Sequence, residues 1–327
     1  MKNQYMSGTL SKMSAPLLAA AALALIDLTP LPAAAQEDRK VVVQTIRVGE
    51  APVGLAFDGA NIWVANERDN NVMKLAEDGT LLGTFSVGTF PAYETFDGEN
   101  VWVSNFGDNT VTKLRASDGS VVGTYNVGDG PAPILFDGVN IWVANQNDES
   151  LTKLRASDGT LLVTIPDLGY SRGLAFDGEN IWMTNWLENS VMKLRASDGA
   201  LLDVTRVGQN PNGAAFDGKN IWVAVAGSTN TRLENKVTKL LARNGSFEGQ
   251  FAVDLVPVNL VSDGSHIWVV TAQHDTVVEL RISDGSVVNV YSVRRDPANI
   301  LFDGKNIWVA DYGDNAVSKI RRIKGRD

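Results

Sequence analysis

A chain of 327 residues that is 44% hydrophobic and 20% charged has the composition of a soluble globular protein. Its formal net charge of -9 disfavours nucleic acid as a partner, because an acidic surface repels a phosphate backbone. The absence of cysteine excludes disulfides, and with only two histidines it also disfavours a zinc site.

The N-terminal segment has the features of a secretory signal peptide. Lys2 and Lys12 precede an apolar run at 15–26, and an Ala-x-Ala sequence ends at Ala35. The run of about 12 residues is shorter than the roughly 20 that span a bilayer as a helix. We therefore expect cleavage after Ala35, a polar tether at 36–40, a periplasmic or secreted protein, and no membrane span in the mature chain. The alternative is an uncleaved N-terminal anchor.

One phrase recurs along the rest of the chain. It reads Phe-Asp-Gly-Val-Asn-Ile-Trp-Val-Ala-Asn at 136–145, and its tryptophan returns at a spacing of about 40 residues as Trp63, Trp102, Trp142, Trp182, Trp222, Trp268 and Trp308. Each repeat contains four β-rich segments separated by turn signals, and Asp-Gly favours tight hairpin turns. Four short antiparallel strands per repeat are typical of a propeller blade.

The two ends of the repeat region complement each other. The last repeat stops before a fourth strand, whereas 41–49 resembles the end of a repeat that lacks its beginning. Pairing these segments would remove an exposed sheet edge. We therefore predict an all-β fold at 41–327: a seven-bladed β-propeller with four-stranded antiparallel blades, in which strand 41–49 completes the C-terminal blade. A monomer is expected.

A lysine occupies the third strand of most repeats. We interpret this series as a solvated stripe. Its members are Lys74, Lys113, Lys153, Lys193, Lys239 and Lys319, and the sixth repeat has Glu279 instead.

These repeats resemble the bacterial extracytoplasmic propellers grouped with YVTN and NHL repeats, including those similar to streptogramin B lyase. The resemblance covers 41–327 and is more specific for fold than for activity. It would imply a catalytic His directly after the Pro that begins an inner strand, a Glu after the second strand, and a magnesium ion. Glu67 alone fits the Glu position. The residues at the His position are Val53, Ala92, Ala132, Arg172, Asn212, Val258 and Ala298. Because none of them is His, the lyase activity is not carried over.

The turn pattern distinguishes two rims of the predicted ring. The tight Asp-Gly turns lie at one rim and are monotonous, whereas the loops of the other rim vary, which indicates the working face. Aromatic, Arg and amide side chains on that rim suit a protein, glycan or small-molecule ligand. The alternative is that the aromatic residues only fill gaps between loops. The predicted binding residues are Tyr93, Phe106, Tyr170, Arg172, Trp186, Asn212, Asn259, Asn299 and Tyr312.

Glu94 is an acid at a position that is otherwise apolar in the inner strand. A buried carboxylate is costly unless it is paired or bound to metal. One interpretation pairs Glu94 with Arg172 or another Arg of the same rim. The other makes Glu94 a metal ligand together with Asn212, Asn259 and Asn299, as in hydrolases similar to gluconolactonase, since Ca²⁺ accepts carboxylate and amide oxygens.

Together these patterns favour an exported, non-catalytic binding module that uses the varied rim and needs no cofactor. The alternative is an enzyme, a metal-dependent lyase or lactonase-type hydrolase that uses Ca²⁺ or Mg²⁺ near the catalytic candidate Glu94. A third interpretation is a structural array whose repeats reflect recent duplication.

Overall fold

The computed structural model describes residues 40–227, 235–254 and 256–323. The predicted signal peptide and residues 36–39 of the tether lie outside this range. Within these ranges, twenty-eight strands form seven four-stranded antiparallel sheets, joined by turns and by one 3-10 turn at Tyr312–Asp314. No helix among these residues is long and apolar enough to cross a membrane.

The sheets follow the repeats in chain order. The first strand, β1 (Lys40–Arg47), belongs to the last blade. Blade 1 contains β2 (Pro52–Phe57), β3 (Ile62–Asn66), β4 (Asn71–Leu75) and β5 (Leu81–Ser86). Blade 2 contains β6 (Pro91–Phe96), β7 (Asn100–Asn105), β8 (Thr110–Arg115) and β9 (Val121–Asn126). Blade 3 contains β10 (Pro131–Phe136), β11 (Asn140–Asn145), β12 (Ser150–Arg155) and β13 (Leu161–Ile165). Blade 4 contains β14 (Leu174–Phe176), β15 (Asn180–Asn185), β16 (Ser190–Arg195) and β17 (Leu201–Arg206).

The remaining blades repeat this order. Blade 5 contains β18 (Pro211–Phe216), β19 (Asn220–Val225), β20 (Lys236–Leu241) and β21 (Phe247–Ala252). Blade 6 contains β22 (Pro257–Ser262), β23 (His266–Thr271), β24 (Thr276–Arg281) and β25 (Val287–Ser292). Blade 7 contains β26 (Pro297–Phe302), β27 (Ile307–Asp311) and β28 (Ala316–Ile323), with β1 as its fourth strand.

Blade 7 closes the ring as the sequence predicts. β1 pairs with β28 in an antiparallel register that places Thr45 opposite Ser318. The strand begins at Lys40 and ends at Arg47, whereas the sequence predicted 41–49. The seven-bladed propeller and its closure by the N-terminal strand are therefore confirmed.

The Asp of the Asp-Gly turn between the first and second strands of each blade serves two purposes. In blade 1, one carboxylate oxygen of Asp58 accepts hydrogen bonds from the backbone amides of Ala60 and Asn61 at 2.9 and 2.6 Å. The other oxygen accepts a hydrogen bond from the indole N–H of Trp63 at 2.9 Å. Burial would raise the pKa of Asp58, but the hydrogen bonds from Trp63 and from the turn outweigh it and lower that pKa. Each of the other six repeat tryptophans donates to its own turn Asp in the same way. This shared contact explains why the dipeptide and the tryptophan recur together.

The predicted solvated lysine stripe is wrong. Lys113 is buried, lies over the Trp102 ring at 4.9 Å and donates to the carbonyl of Ala156 in the next blade at 2.7 Å. The other five lysines likewise lie over their own Trp and donate to a carbonyl of the next blade. The series therefore joins neighbouring blades through cation–π contacts and hydrogen bonds.

The junction between blades 6 and 7 reverses this arrangement. Glu279 takes the lysine position, and Arg322 reaches back from blade 7 to pair with its carboxylate. The Arg322 guanidinium lies 4.7 Å from the centre of the Trp268 ring, where a lysine lies in the other blades. Tyr291 donates to the second oxygen of Glu279 at 2.7 Å. At this junction a cation still lies over the tryptophan ring of blade 6, but it belongs to blade 7.

Candidate functional site

Two positions in each repeat build a pocket at the varied rim, which we call the rim pocket. The first position directly follows the Pro that begins the inner-strand segment, or Ser171 in blade 4. Six blades contribute this residue: Val53, Ala92, Ala132, Arg172, Asn212 and Val258. The second follows the end of the second strand and supplies Glu67, Phe106 and Gln146. With Phe90, Tyr93 and Tyr170 these residues enclose about 270 Å³. Since six blades meet only around the axis, the rim pocket lies at the mouth of the central channel.

A cation that lies against two adjacent aromatic rings forms one wall. The Arg172 guanidinium lies 5.6 Å from the ring centre of Tyr170 and 5.3 Å from that of Trp186. The two rings are 6.2 Å apart in an edge-to-face arrangement. Burial raises the pKa of Tyr93, and the charge of Arg172 opposes this rise, so that Tyr93 lies within the field of the same cation. Such a platform offers both a planar apolar surface and directed donors.

The backbone that carries Arg172 departs from the repeat. β14 has three residues where the other inner strands have six, and Ser171 stands where six other repeats have Pro. Gln146 of blade 3 donates to the Ser171 carbonyl at 2.6 Å, and the Trp186 amide donates to Tyr170 at 2.8 Å. The backbone of the irregular segment that precedes Arg172 is thus held on both sides.

Three asparagines come from the inner strands of blades 5, 6 and 7. Asn259 donates to Oδ1 of Asn299 at 2.7 Å, and Asn212 donates to the Pro257 carbonyl at 2.9 Å. Oδ1 of Asn212 has no hydrogen-bond partner among the described residues, although the side chain is only 4% exposed. This oxygen is a buried acceptor that the fold leaves without a donor, in a residue that also lines the rim pocket.

Glu94 is buried beside the rim pocket rather than on its wall. It is 7% exposed, and neither carboxylate oxygen has a hydrogen-bond partner among the described residues. A methyl group on Gly54 of blade 1 would come within 1.8 Å of Oε2, so Gly54 provides the space for the carboxyl group. Burial raises the pKa of Glu94 well above 4.5. The predicted pairing of Glu94 with Arg172 is not formed.

The proposed metal ligands do not come together as one set. Asn259 and Asn299 bond to each other, and Glu94 makes no hydrogen bond or ion pair to any of the three asparagines in the described part of the chain. That part also contains no group of three or more His, Cys, Asp or Glu side chains arranged to hold a metal ion. The Leu260 amide donates to Oδ1 of Asn259 at 2.8 Å, and the Ile300 amide donates to Oδ1 of Asn299 at 2.8 Å. Two of the four proposed ligand oxygens are thus already occupied, which disfavours a Ca²⁺ or Mg²⁺ centre that would use all four residues.

The structure gathers most of the predicted binding residues. Tyr93, Phe106, Tyr170, Arg172 and Asn212 line the rim pocket, and Trp186 stacks on Arg172. Tyr312 lies apart from this group, where Arg68 donates to its hydroxyl at 3.4 Å and lies over its ring at 5.6 Å.

Seven lining residues were not among the predicted binding residues. Four of them are apolar residues of the inner-strand segments, Val53, Ala92, Ala132 and Val258, and three belong to loops of the varied rim, Glu67, Phe90 and Gln146. Glu67 and Gln146 occupy the same repeat position as Phe106. Variation at that single position was therefore the signal that could have found them. Phe90 has a φ of 51°, a left-handed conformation that is uncommon for a bulky residue and that marks its loop.

Comparison with known proteins adds to the fold assignment. No family model matches the sequence, and no curated protein sequence is significantly similar to it. Virginiamycin B lyase from Staphylococcus aureus is similar in structure, with a TM-score of 0.73, 18% identity, and 87% of this chain and 100% of that chain covered. A streptogramin B lyase gives a TM-score of 0.71 at 18% identity and covers 86% of this chain and 98% of its own. Hydrazine synthase from Kuenenia stuttgartiensis gives a TM-score of 0.71 at 17% identity, with coverage of 83% and 95%. At these identities the likeness concerns the fold.

Proposed function

We propose that this chain is an exported binding protein that holds a small organic molecule in the rim pocket without transforming it. The observation that carries the proposal is the Arg172 guanidinium stacked on Tyr170 and Trp186 at the edge of a concave, largely apolar pocket. Apolar walls with a few convergent polar groups are the usual composition of small-molecule sites.

The shape of the site favours a small ligand over a protein surface. A stable protein interface buries roughly 800 Å² on each partner, mostly on a flat area. Here the aromatic and charged side chains instead converge on about 270 Å³ around the axis. A ligand of this size would contact several blades at once, and the rigid ring would hold those contacts in place.

A thermal-shift screen tests this proposal. The mature chain is mixed with a library of organic acids, amines, amino acids, sugars and aromatic heterocycles, and ligands that raise its Tm are tested on variants. We expect such ligands to lose their effect on Arg172→Ala and Trp186→Ala. The control is Arg195→Ala at the other rim, where Arg195 is exposed and pairs with Asp198 at 2.8 Å. Ligands that stabilise all four proteins equally, or a library without a single stabilising compound, would refute the proposal.

The buried Glu94 supports a second candidate function. A carboxyl group with a raised pKa can act as a general acid, and its two unpartnered oxygens distinguish it from a structural ion pair. In that case the chain would be a lyase or a lactonase-type hydrolase, and Glu94→Gln would abolish its activity. A Glu94→Gln variant with unchanged turnover of a substrate identified in the screen would exclude this role. Because Glu94 lies behind the pocket wall, binding remains the better supported function.

A further inference from the structure

The rim pocket contains two opposite charges that lack ion-pair partners among the residues that the structure describes. Glu67 and Arg172 both line it, and neither makes an ion pair or a side-chain hydrogen bond to any residue in the described ranges. They are also beyond ion-pair distance of each other. By contrast, the neighbouring Arg68 is bonded to Tyr312. The fold thus places one unpaired anion and one unpaired cation on the wall of the same small cavity.

We propose, on the basis of the proposed binding function, that the ligand is a small zwitterion of the amino-acid type, whose carboxylate is bound by Arg172 and whose ammonium group is bound by Glu67. Arg presents parallel donors that match the geometry of a carboxylate. A purely anionic ligand would satisfy Arg172 but would be repelled by Glu67, and a purely cationic ligand would meet the opposite mismatch.

Two further features of the pocket fit this class of ligand. The rings of Phe90, Tyr93 and Phe106 line the pocket and offer faces for a cation or for an apolar body. The volume of about 270 Å³ is at the small end for ligand sites, and is suited to an amino acid rather than to a peptide.

Three related probes separate the charges. L-phenylalanine is a zwitterion, N-acetyl-L-phenylalanine carries only the negative charge, and L-phenylalaninamide carries only the positive charge. Isothermal titration calorimetry with the mature chain, with L-leucine as a smaller zwitterion, measures the affinity for each. We expect a zwitterion to bind at least about tenfold more tightly than either derivative, because each derivative leaves one charged residue without its partner.

Variants assign each charge to its residue. Glu67→Gln is expected to remove the preference for L-phenylalanine over N-acetyl-L-phenylalanine. Arg172→Gln is expected to remove the preference for L-phenylalanine over L-phenylalaninamide. Glu188→Gln, an exposed acid at the same rim, and Arg195→Gln at the other rim are the matched controls and should keep both preferences.

The possible failures are distinguishable. If all the probes bind equally and binding is lost in Trp186→Ala, the rim pocket binds ligands but the zwitterion assignment is wrong. If no probe binds at millimolar concentration, the assignment is also refuted, and the library screen decides independently whether the pocket binds another class of molecule.

Discussion

Replacing Glu94 with Leu should stabilise the protein. The equivalent position carries Leu, Ile or Ala in the other six blades, and Gly54 leaves space for a side chain of this length. A buried polar group without partners costs about 1–3 kcal/mol, and Glu94→Leu removes this cost while it adds apolar contact. For a chain of this size 1 kcal/mol corresponds to about 2 °C in Tm.

The size of the gain should depend on pH in a defined direction. Below pH 4.5 the carboxyl group of Glu94 is protonated in both the folded and the unfolded state. Above that value the unfolded state loses the proton and the folded state retains it. The contribution of Glu94 to the free energy of unfolding therefore falls by about 1.4 kcal/mol per pH unit, until the pH reaches the raised pKa of the folded state. The Leu variant lacks this decline.

Urea unfolding followed by tryptophan fluorescence between pH 4 and pH 8 measures this difference. Glu94→Gln is the control, because it keeps the shape and the unpartnered polar atoms but does not titrate. It should remove the same pH-dependent contribution of Glu94, but at acid pH it should stabilise the protein less than Leu does. A Leu variant that is less stable than the wild type at neutral pH, or a difference that stays constant with pH, would refute the reasoning about a buried, unpartnered carboxyl group.

Three further substitutions test other parts of the structure. Burial raises the pKa of Asp311 to about 7, so its contribution to stability is lost as the pH rises from 3.8 to about 7. The Asp311→Asn variant should therefore be more stable than the wild type at neutral pH. It should have no advantage below pH 4 in the same urea assay. Lys153→Met should lower the free energy of unfolding by about 1–3 kcal/mol, because it leaves a buried carbonyl of the next blade without a donor. Arg155→Met, on the exposed side of the same strand, should lower it by less than about 0.5 kcal/mol. Equal losses in the two variants would contradict the inter-blade role of the lysines. Arg322→Gln should lower the free energy of unfolding, measured by thermal unfolding, by about 3–5 kcal/mol, because the buried Glu279 loses its cation. A loss below about 1 kcal/mol would show that this pairing does not hold blade 7 against blade 6.

The fold could be predicted because each repeat carries its own local signals. Asp-Gly turns, a continuous apolar second strand and a constant period are properties of single segments, and the complementary ends of the chain identified the closure. The lysine series could not be interpreted correctly in this way. Along one strand Lys113 resembles a solvent-facing residue, and the carbonyl of Ala156 that binds it belongs to a different repeat.

The candidate site was predictable to a smaller extent. Variation between repeats identified the rim, and the acid at an apolar position identified Glu94 as exceptional. Contacts across the axis were not accessible, because they depend on which side chains from different blades converge. The grouping of Arg172 with Tyr170 and Trp186, and the presence of Glu67 in the same pocket, arise from that convergence.

Native mass spectrometry tests the central claim, ligand binding in the rim pocket, most directly. The mature chain and its Trp186→Ala and Arg195→Ala variants would be purified in parallel from the exported fraction without chelator. The account predicts an organic adduct of small mass on the wild type and on Arg195→Ala that survives a chelator and is absent from Trp186→Ala. An adduct that the chelator removes, or the same adduct on all three proteins, would contradict it.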